Sequence, residues 1–152
     1  MTQFEKKKRN SMMVVGIELR TSNHPDAGPV AIPQHWEKFY RENVMEKIPN
    51  KSANEVVALY CDYEGDHTNP YSLVIGCPVS SIDSIPEGMV AKIVPETSYA
   101  VFDVSGEFPK SLVETWGKIW GTKLDRTFSY DFELYGSEFG TTQKLDVYIA
   151  VK

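Results

Sequence analysis

The stretch QHWEKFYRENVMEKI, residues 34–48, sets Trp36, Phe39, Tyr40, Val44 and Ile48 at three- and four-residue spacing, with Glu37, Lys38, Arg41, Glu42 and Glu46 between them. Apolar recurrence at that period predicts an amphipathic helix, beginning near Pro33, with an unusually aromatic inner face. On its N-terminal side, Met12-Met13-Val14-Val15-Gly16-Ile17 reads as a strand, followed by a loop rich in Asn, Pro, Asp and Gly over residues 21–29. On its C-terminal side, residues 55–62 and 71–79 are β-rich runs around the turn-forming Glu64-Gly65-Asp66-His67-Thr68-Asn69-Pro70, which predicts a hairpin.

The same order recurs further along. Residues 89–94 and 99–104 predict two short strands around Pro95-Glu96-Thr97-Ser98. A second helix, opened by Pro109, carries Leu112, Val113, Trp116, Ile119 and Trp120 on one face. Residues 130–135 and 144–151 close the chain as two more strands, joined by a glycine-rich link over 136–142. Each helix follows a strand and precedes a hairpin, so the chain reads as a duplicated strand-helix-strand-strand unit spanning roughly 12–79 and 89–151. The expected fold is α+β: one curved antiparallel sheet with two helices on its convex face and a ligand cleft at the seam.

Composition narrows the function. The chain has 152 residues, 41% hydrophobic and 12% aromatic, enough for one domain with a real core. Its net charge of -5 lacks the steering expected of a protein that grips phosphate backbones, so direct nucleic-acid binding is not expected. The basic Lys6, Lys7, Lys8 and Arg9 precede any hydrophobic pattern, and residues 1–11 are expected to be a flexible, frayed segment. Residues 11–17 are too short and too soon charged for a signal peptide, and no run approaches the roughly 20 apolar residues of a membrane span. Cys61 and Cys77 sit in apolar strand-like runs without metal or redox spacing, as expected of reduced core residues in a cytoplasmic protein. His24, His35 and His67 have no ligand spacing and are expected at the surface, Glu64, Asp66 and Asn69 lack the order of a calcium loop, and no metal or cofactor is expected. Ser105-Gly106-Glu107 lacks the flanking glycines of a nucleophile elbow, and no phosphate-cradling glycine loop occurs.

Several of these segments, taken in order, resemble a known family. Residues 32–40 (IPQHWEKFY), 60–66 (YCDYEGD) and 71–76 (YSLVIG) resemble the first half of a gyrase-inhibitor-like effector-binding domain. Residues 99–102 (YAVF), Gly106, 116–120 (WGKIW), 131–135 (DFELY) and 147–149 (VYI) resemble its second half. The branch most similar is that of stand-alone integron-associated effector-binding proteins, and the resemblance places a single effector-binding domain at residues 12–152. It implies binding of hydrophobic, cationic small molecules, as in the sensors of AraC-type and multidrug-responsive transcription regulators, with a strand glutamate as countercharge. The matching position is Glu133.

Strand alternation puts Tyr130, Phe132 and Leu134 on one face and Asp131, Glu133 and Tyr135 on the other. If the first face packs under the helices, Glu133 and Tyr135 face the cleft. A carboxylate among aromatic rings is a sensible trap for a cation. Trp36, Tyr40, Tyr71 and Phe102, with Trp116, Trp120 and Tyr148, are the expected walls. Two other readings remain open. Glu133 could orient water to hydrolyse a strained electrophile, with Tyr135 or Tyr148 stabilising charge. The chain could also bind a protein, as gyrase-binding members of the superfamily imply, although its acidic residues are scattered among Lys and Arg.

Overall fold

The computed structural model describes residues 4–66 and 68–152, so the expectations for His67 and for the first three residues lie outside the described residues. In chain order the elements are β1 (Glu5–Arg9), β2 (Met12–Thr21), α1 (Gly28–Arg41), α2 (Val44–Lys47), β3 (Val56–Cys61) and β4 (Tyr71–Val79), then β5 (Val90–Val94), β6 (Thr97–Val104), α3 (Lys110–Gly121), β7 (Tyr130–Tyr135), α4 (Phe139–Thr142) and β8 (Leu145–Val151). The eight strands form one antiparallel sheet in the order β1-β6-β8-β7-β3-β4-β2-β5. The duplication shows in that order: β3 and β7, the hairpin strands of the two halves, meet at the seam and pair from Val56↔Tyr135 to Cys61↔Tyr130.

Four local expectations need correction. The basic segment is not frayed at residues 5–9, because Glu5–Arg9 pairs with Thr97–Val101 as the edge strand β1. An edge strand exposed along nearly its whole length buries no apolar face, and its lysines discourage further pairing, so hydrophobic periodicity cannot reveal it. Helix α1 starts at Gly28, not near Pro33, because Pro29 occupies the first turn, where its missing N–H is harmless. Gly28 is required there by a close approach, since a Cβ would stand 2.4 Å from the Ser22 carbonyl oxygen. The periodic stretch is also split: Asn43, in the left-handed region at φ 50°, ends α1 and begins the short α2. Finally, His35 is buried and donates from Nε2 to the Ile17 carbonyl oxygen at 2.9 Å, with its pKa lowered by burial.

Two short connections decide the shape of the sheet. Only Asn10 and Ser11 separate β1 from β2, and only Pro95 and Glu96 separate β5 from β6. Each connection joins strands six positions apart, about 29 Å in a flat sheet at ~4.8 Å per strand. Three Cα–Cα steps reach about 11 Å at most. The sheet therefore rolls up at that end. Its inner face packs on itself, with Val14, Val57, Leu59, Val74, Phe132 and Ala150 buried in a cluster that contains no helix residue. The outer face carries the helices: Phe39, Val44, Ile48 and Ile119 pack with Val15, Ile17, Leu73, Ile75, Val147 and Ile149. Burying each such side chain contributes about 1.5–3 kcal/mol.

Within the roll, β2 and β4 approach so closely at Gly16↔Gly76 that a Cβ on Gly76 would stand 2.0 Å from the Val15 carbonyl oxygen. Gly76→Ala must push backbone apart and is expected to destabilise the fold by about 1–3 kcal/mol in urea denaturation. An unchanged midpoint would show that the strands do not need this contact.

Candidate functional site

The face question resolves opposite to the sequence expectation. Phe132 and Leu134 lie with the inner cluster, whereas Asp131, Glu133 and Tyr135 alternate toward the outer side, where Tyr135 joins the helix-covered core. Glu133 reaches the cleft because the helices lie over its own face, not over the opposite one.

The cleft is a cavity of about 460 Å³, within the range of small-molecule sites. The first turns of α1 supply one wall through Pro29, Ile32 and Pro33, and α3 supplies the other through Leu112, Val113, Trp116 and Trp120. The floor comes from the sheet: Tyr60 on β3, Tyr71 on β4 and Glu133 on β7. Across the seam Glu133 pairs with Ala58, so Tyr60, two residues along β3, emerges on the same face beside it.

Glu133 is 2% exposed and is held by three donors. Its Oε2 accepts from Tyr60 Oη at 2.9 Å and from Trp116 Nε1 at 2.8 Å, and its Oε1 accepts from Tyr135 Oη at 2.6 Å. Burial raises its pKa above the ordinary carboxylate range, and the three donors offset part of that rise. Burial also pushes Tyr60 and Tyr135 well above the usual phenol range, so both remain protonated donors. Tyr71 completes the floor, its ring 5.6 Å from that of Tyr60 and its hydroxyl donating to Asn23 Oδ1 at 2.8 Å.

A second charged group lines the cavity, and it is neutralised elsewhere. Arg126 is bound to Asp131 at 2.8 Å, with side chains 8% and 0% exposed. Asp131 also accepts from Tyr63 Oη at 2.6 Å and from the Ala150 N–H at 2.7 Å. Burial raises the Asp131 pKa, with Arg126 and these donors opposing the rise. Among the described residues no cation is among the donors to Glu133, so within them the cavity floor holds a carboxylate without a countercharge in contact.

Of the residues expected to form the site, Glu133, Tyr71, Trp116 and Trp120 line this cavity. Tyr135 stands behind Glu133 as a donor. Trp36 and Tyr40 are on the far side of Tyr135: the Trp36 ring meets that of Tyr135 edge-on at 5.1 Å, and Tyr40 is largely exposed. Phe102 is packed in the outer core against Phe4. Tyr148 is on the inner face, stacked on Phe132 with the Arg9 guanidinium above both rings. The strand register puts Tyr148 opposite Phe132, so the charge-stabilising role considered for Tyr148 at Glu133 is not open to it. Tyr60, Arg126 and Asn23 were missed. Only Tyr60 left a signal, since it shares period-2 alternation with Ala58, the residue that meets Glu133 once the register is known. Cys61 and Cys77 are free and buried, with burial raising their thiols to about 12 and about 11.

Comparison with known proteins places this architecture. The Vibrio cholerae integron cassette protein VCH_CASS2 is 29% identical over 98% of this chain and 95% of its own, with a TM-score of 0.78. SAV2435, solved bound to tetraphenylphosphonium, shares the fold at a TM-score of 0.81 and 19% identity, covering 99% of this chain and 94% of its own. Protein YobU of Bacillus subtilis (strain 168), which carries the name of a transcriptional regulator, is 27% identical over 144 residues, 90% of each chain. The model of the Cass2 family, integron-associated effector binding protein, matches residues 7–151, and the chain belongs to that family.

Proposed function

We propose that the chain captures hydrophobic organic cations in the cavity between α1, α3 and the sheet, for sequestration or for signalling to a regulator. The observation that carries this reading is the buried Glu133 carboxylate, ringed by neutral donors on an aromatic and aliphatic floor. A ligand cation supplies the missing countercharge. At about 4 Å their attraction is on the order of 4 kcal/mol for an effective dielectric of 20. Trp116, Trp120, Tyr60 and Tyr71 add ring faces, each worth about 0.5–2 kcal/mol to a nearby cation. SAV2435 with its bound tetraphenylphosphonium supports this class of ligand by analogy of fold.

Titration with tetraphenylphosphonium and with neutral triphenylphosphine oxide, followed by fluorescence of the cavity tryptophans, tests the reading. Saturable quenching by the cation, with ligand recovered intact by mass spectrometry, is the expected result. Equal affinity for both compounds overturns it, and chemically altered ligand favours hydrolysis at Glu133.

The raised pKa of Glu133 makes binding depend on pH. Because the folded-state pKa lies above the unfolded one, the protonated form stabilises the ligand-free fold, fully below the unfolded pKa, and this contribution is lost as pH rises through the folded pKa. Cation binding requires the opposite form. Affinity is therefore expected to rise by up to about tenfold per pH unit toward that pKa and then level off, with proton release on binding. Calorimetry in buffers of different ionisation enthalpy reads both effects, and a flat profile excludes Glu133 as the titrating partner.

A further inference from the structure

The two halves of the chain repeat each other around Glu133. Residues 28–33 (GPVAIP) and 36–40 (WEKFY) run at constant spacing with residues 108–113 (FPKSLV) and 116–120 (WGKIW). At the seam, Ala58 and Glu133 pair with one another, and Tyr60 and Tyr135 follow them by two residues on their respective strands. On one side of the carboxylate, Tyr60 donates to Oε2 and its ring meets Trp116 edge-on at 5.3 Å. On the other, Tyr135 donates to Oε1 and its ring meets Trp36 edge-on at 5.1 Å. Behind the two indoles stand Trp120 at 6.3 Å and Tyr40 at 6.1 Å. One carboxylate thus serves two similarly built aromatic corners.

The corners differ in what fills them. The corner at Tyr60 opens into the cavity, and Gly28 is part of its lining. In the corner at Tyr135, Phe108 stands where the first half has Gly28, and its ring lies 6.3 Å from that of Tyr135. Phe139 of α4 packs edge-on against both, 4.9 Å from Tyr135 and 4.9 Å from Phe108. Phe139 is the one partly buried residue of a strap whose residues 136–138 and 140–144 are all exposed, and the strap is tied back by a long hydrogen bond from the Phe108 N–H to Gln143 Oε1 at 3.4 Å. Segments with few buried apolar contacts open at low free-energy cost.

We propose that the corner at Tyr135 is a second binding half-site, closed by Phe139 as a plug on the 136–144 strap and presenting Glu133 Oε1 to a ligand when the strap swings out. The ligand class is the hydrophobic organic cation of the reading above, on which this inference rests for its chemistry. Aromatic walls matching those of the open corner and a shared carboxylate suit the same kind of molecule.

Counting bound tetraphenylphosphonium by native mass spectrometry and calorimetry tests the proposal. Phe139→Ala is expected to bind one more cation than the unmodified chain. Phe108→Gly, which restores the counterpart of Gly28, is expected to do the same. The additional molecule should be selected for charge, taken at least tenfold more tightly than triphenylphosphine oxide, and lost in Phe139→Ala/Glu133→Gln. An unchanged count in either variant, with native circular dichroism, overturns the proposal. So does an additional site that takes the neutral compound equally well, since that is a plain hole. Failure of the unmodified chain to bind any cation rejects the functional reading separately, because the second site is judged on the difference in count.

Discussion

Glu133→Gln is expected to weaken tetraphenylphosphonium binding on the order of 100-fold, about 2.7 kcal/mol, while leaving triphenylphosphine oxide within about threefold. The substitution changes charge and almost nothing else. In the native site Oε2 takes Tyr60 and Trp116, and Oε1 takes Tyr135. A glutamine oxygen can accept the first two, and its amide can donate to the Tyr135 oxygen, because a hydroxyl accepts as well as donates. The Tyr135 O–H then loses its acceptor, a cost of about 1–3 kcal/mol that is offset by no longer burying a charge, so the fold is expected to persist. Its ligand-free stability near neutral pH is expected to hold or rise, since an uncompensated carboxylate no longer has to be kept out of water. Parallel titrations of both ligands give the measurement. Equal losses for cation and neutral compound would assign the effect to shape and sink the countercharge argument.

The largest effect on stability is expected at the neighbouring ion pair. Asp131→Ala should destabilise the fold by roughly 3–5 kcal/mol, because it leaves the buried Arg126 guanidinium without its partner. The same change strands the Tyr63 hydroxyl and the Ala150 N–H, both of which donate to Asp131. At roughly 2–4 °C per kcal/mol for a chain of this size, the melting temperature should fall by about 10 °C. Arg126 also lines the cavity, so an unpaired guanidinium there competes for Glu133 and cation affinity should drop in the same variant. Asp131→Asn keeps acceptor and shape and should be milder. A loss under about 1 kcal/mol in Asp131→Ala, read by urea denaturation, would show that Arg126 finds water instead.

Some elements were legible because their signal is local. The bounds of β4 and β7 match the runs at 71–79 and 130–135, where β-rich composition sits between strong turn formers. The aromatic face of α3 and the place of Glu133 at the cleft were also legible, the latter through the resemblance. Strand β1 was not, because an edge strand of EKKKR carries no hydrophobic period and is specified by its partner β6. The start of α1 was misplaced because Pro33, tolerated inside the helix, resembles a first-turn proline, while the true one is Pro29.

Which residues alternate together could be read from the chain alone: Glu133 with Tyr135 and Asp131, and Phe132 with Tyr130 and Leu134. That follows from the two-residue period of a strand. Which of those sets meets the helices depends on how the sheet closes. The two-residue links at Asn10-Ser11 and Pro95-Glu96 force the sheet to roll, and rolling lets the Phe132 face bury itself without a helix. That sent Tyr148 inward, left Glu133 under α3, and brought Tyr60 beside it through a register between strands more than 70 residues apart. No local period carries that information, because sidedness and register belong to contacts that exist only once the chain has closed on itself.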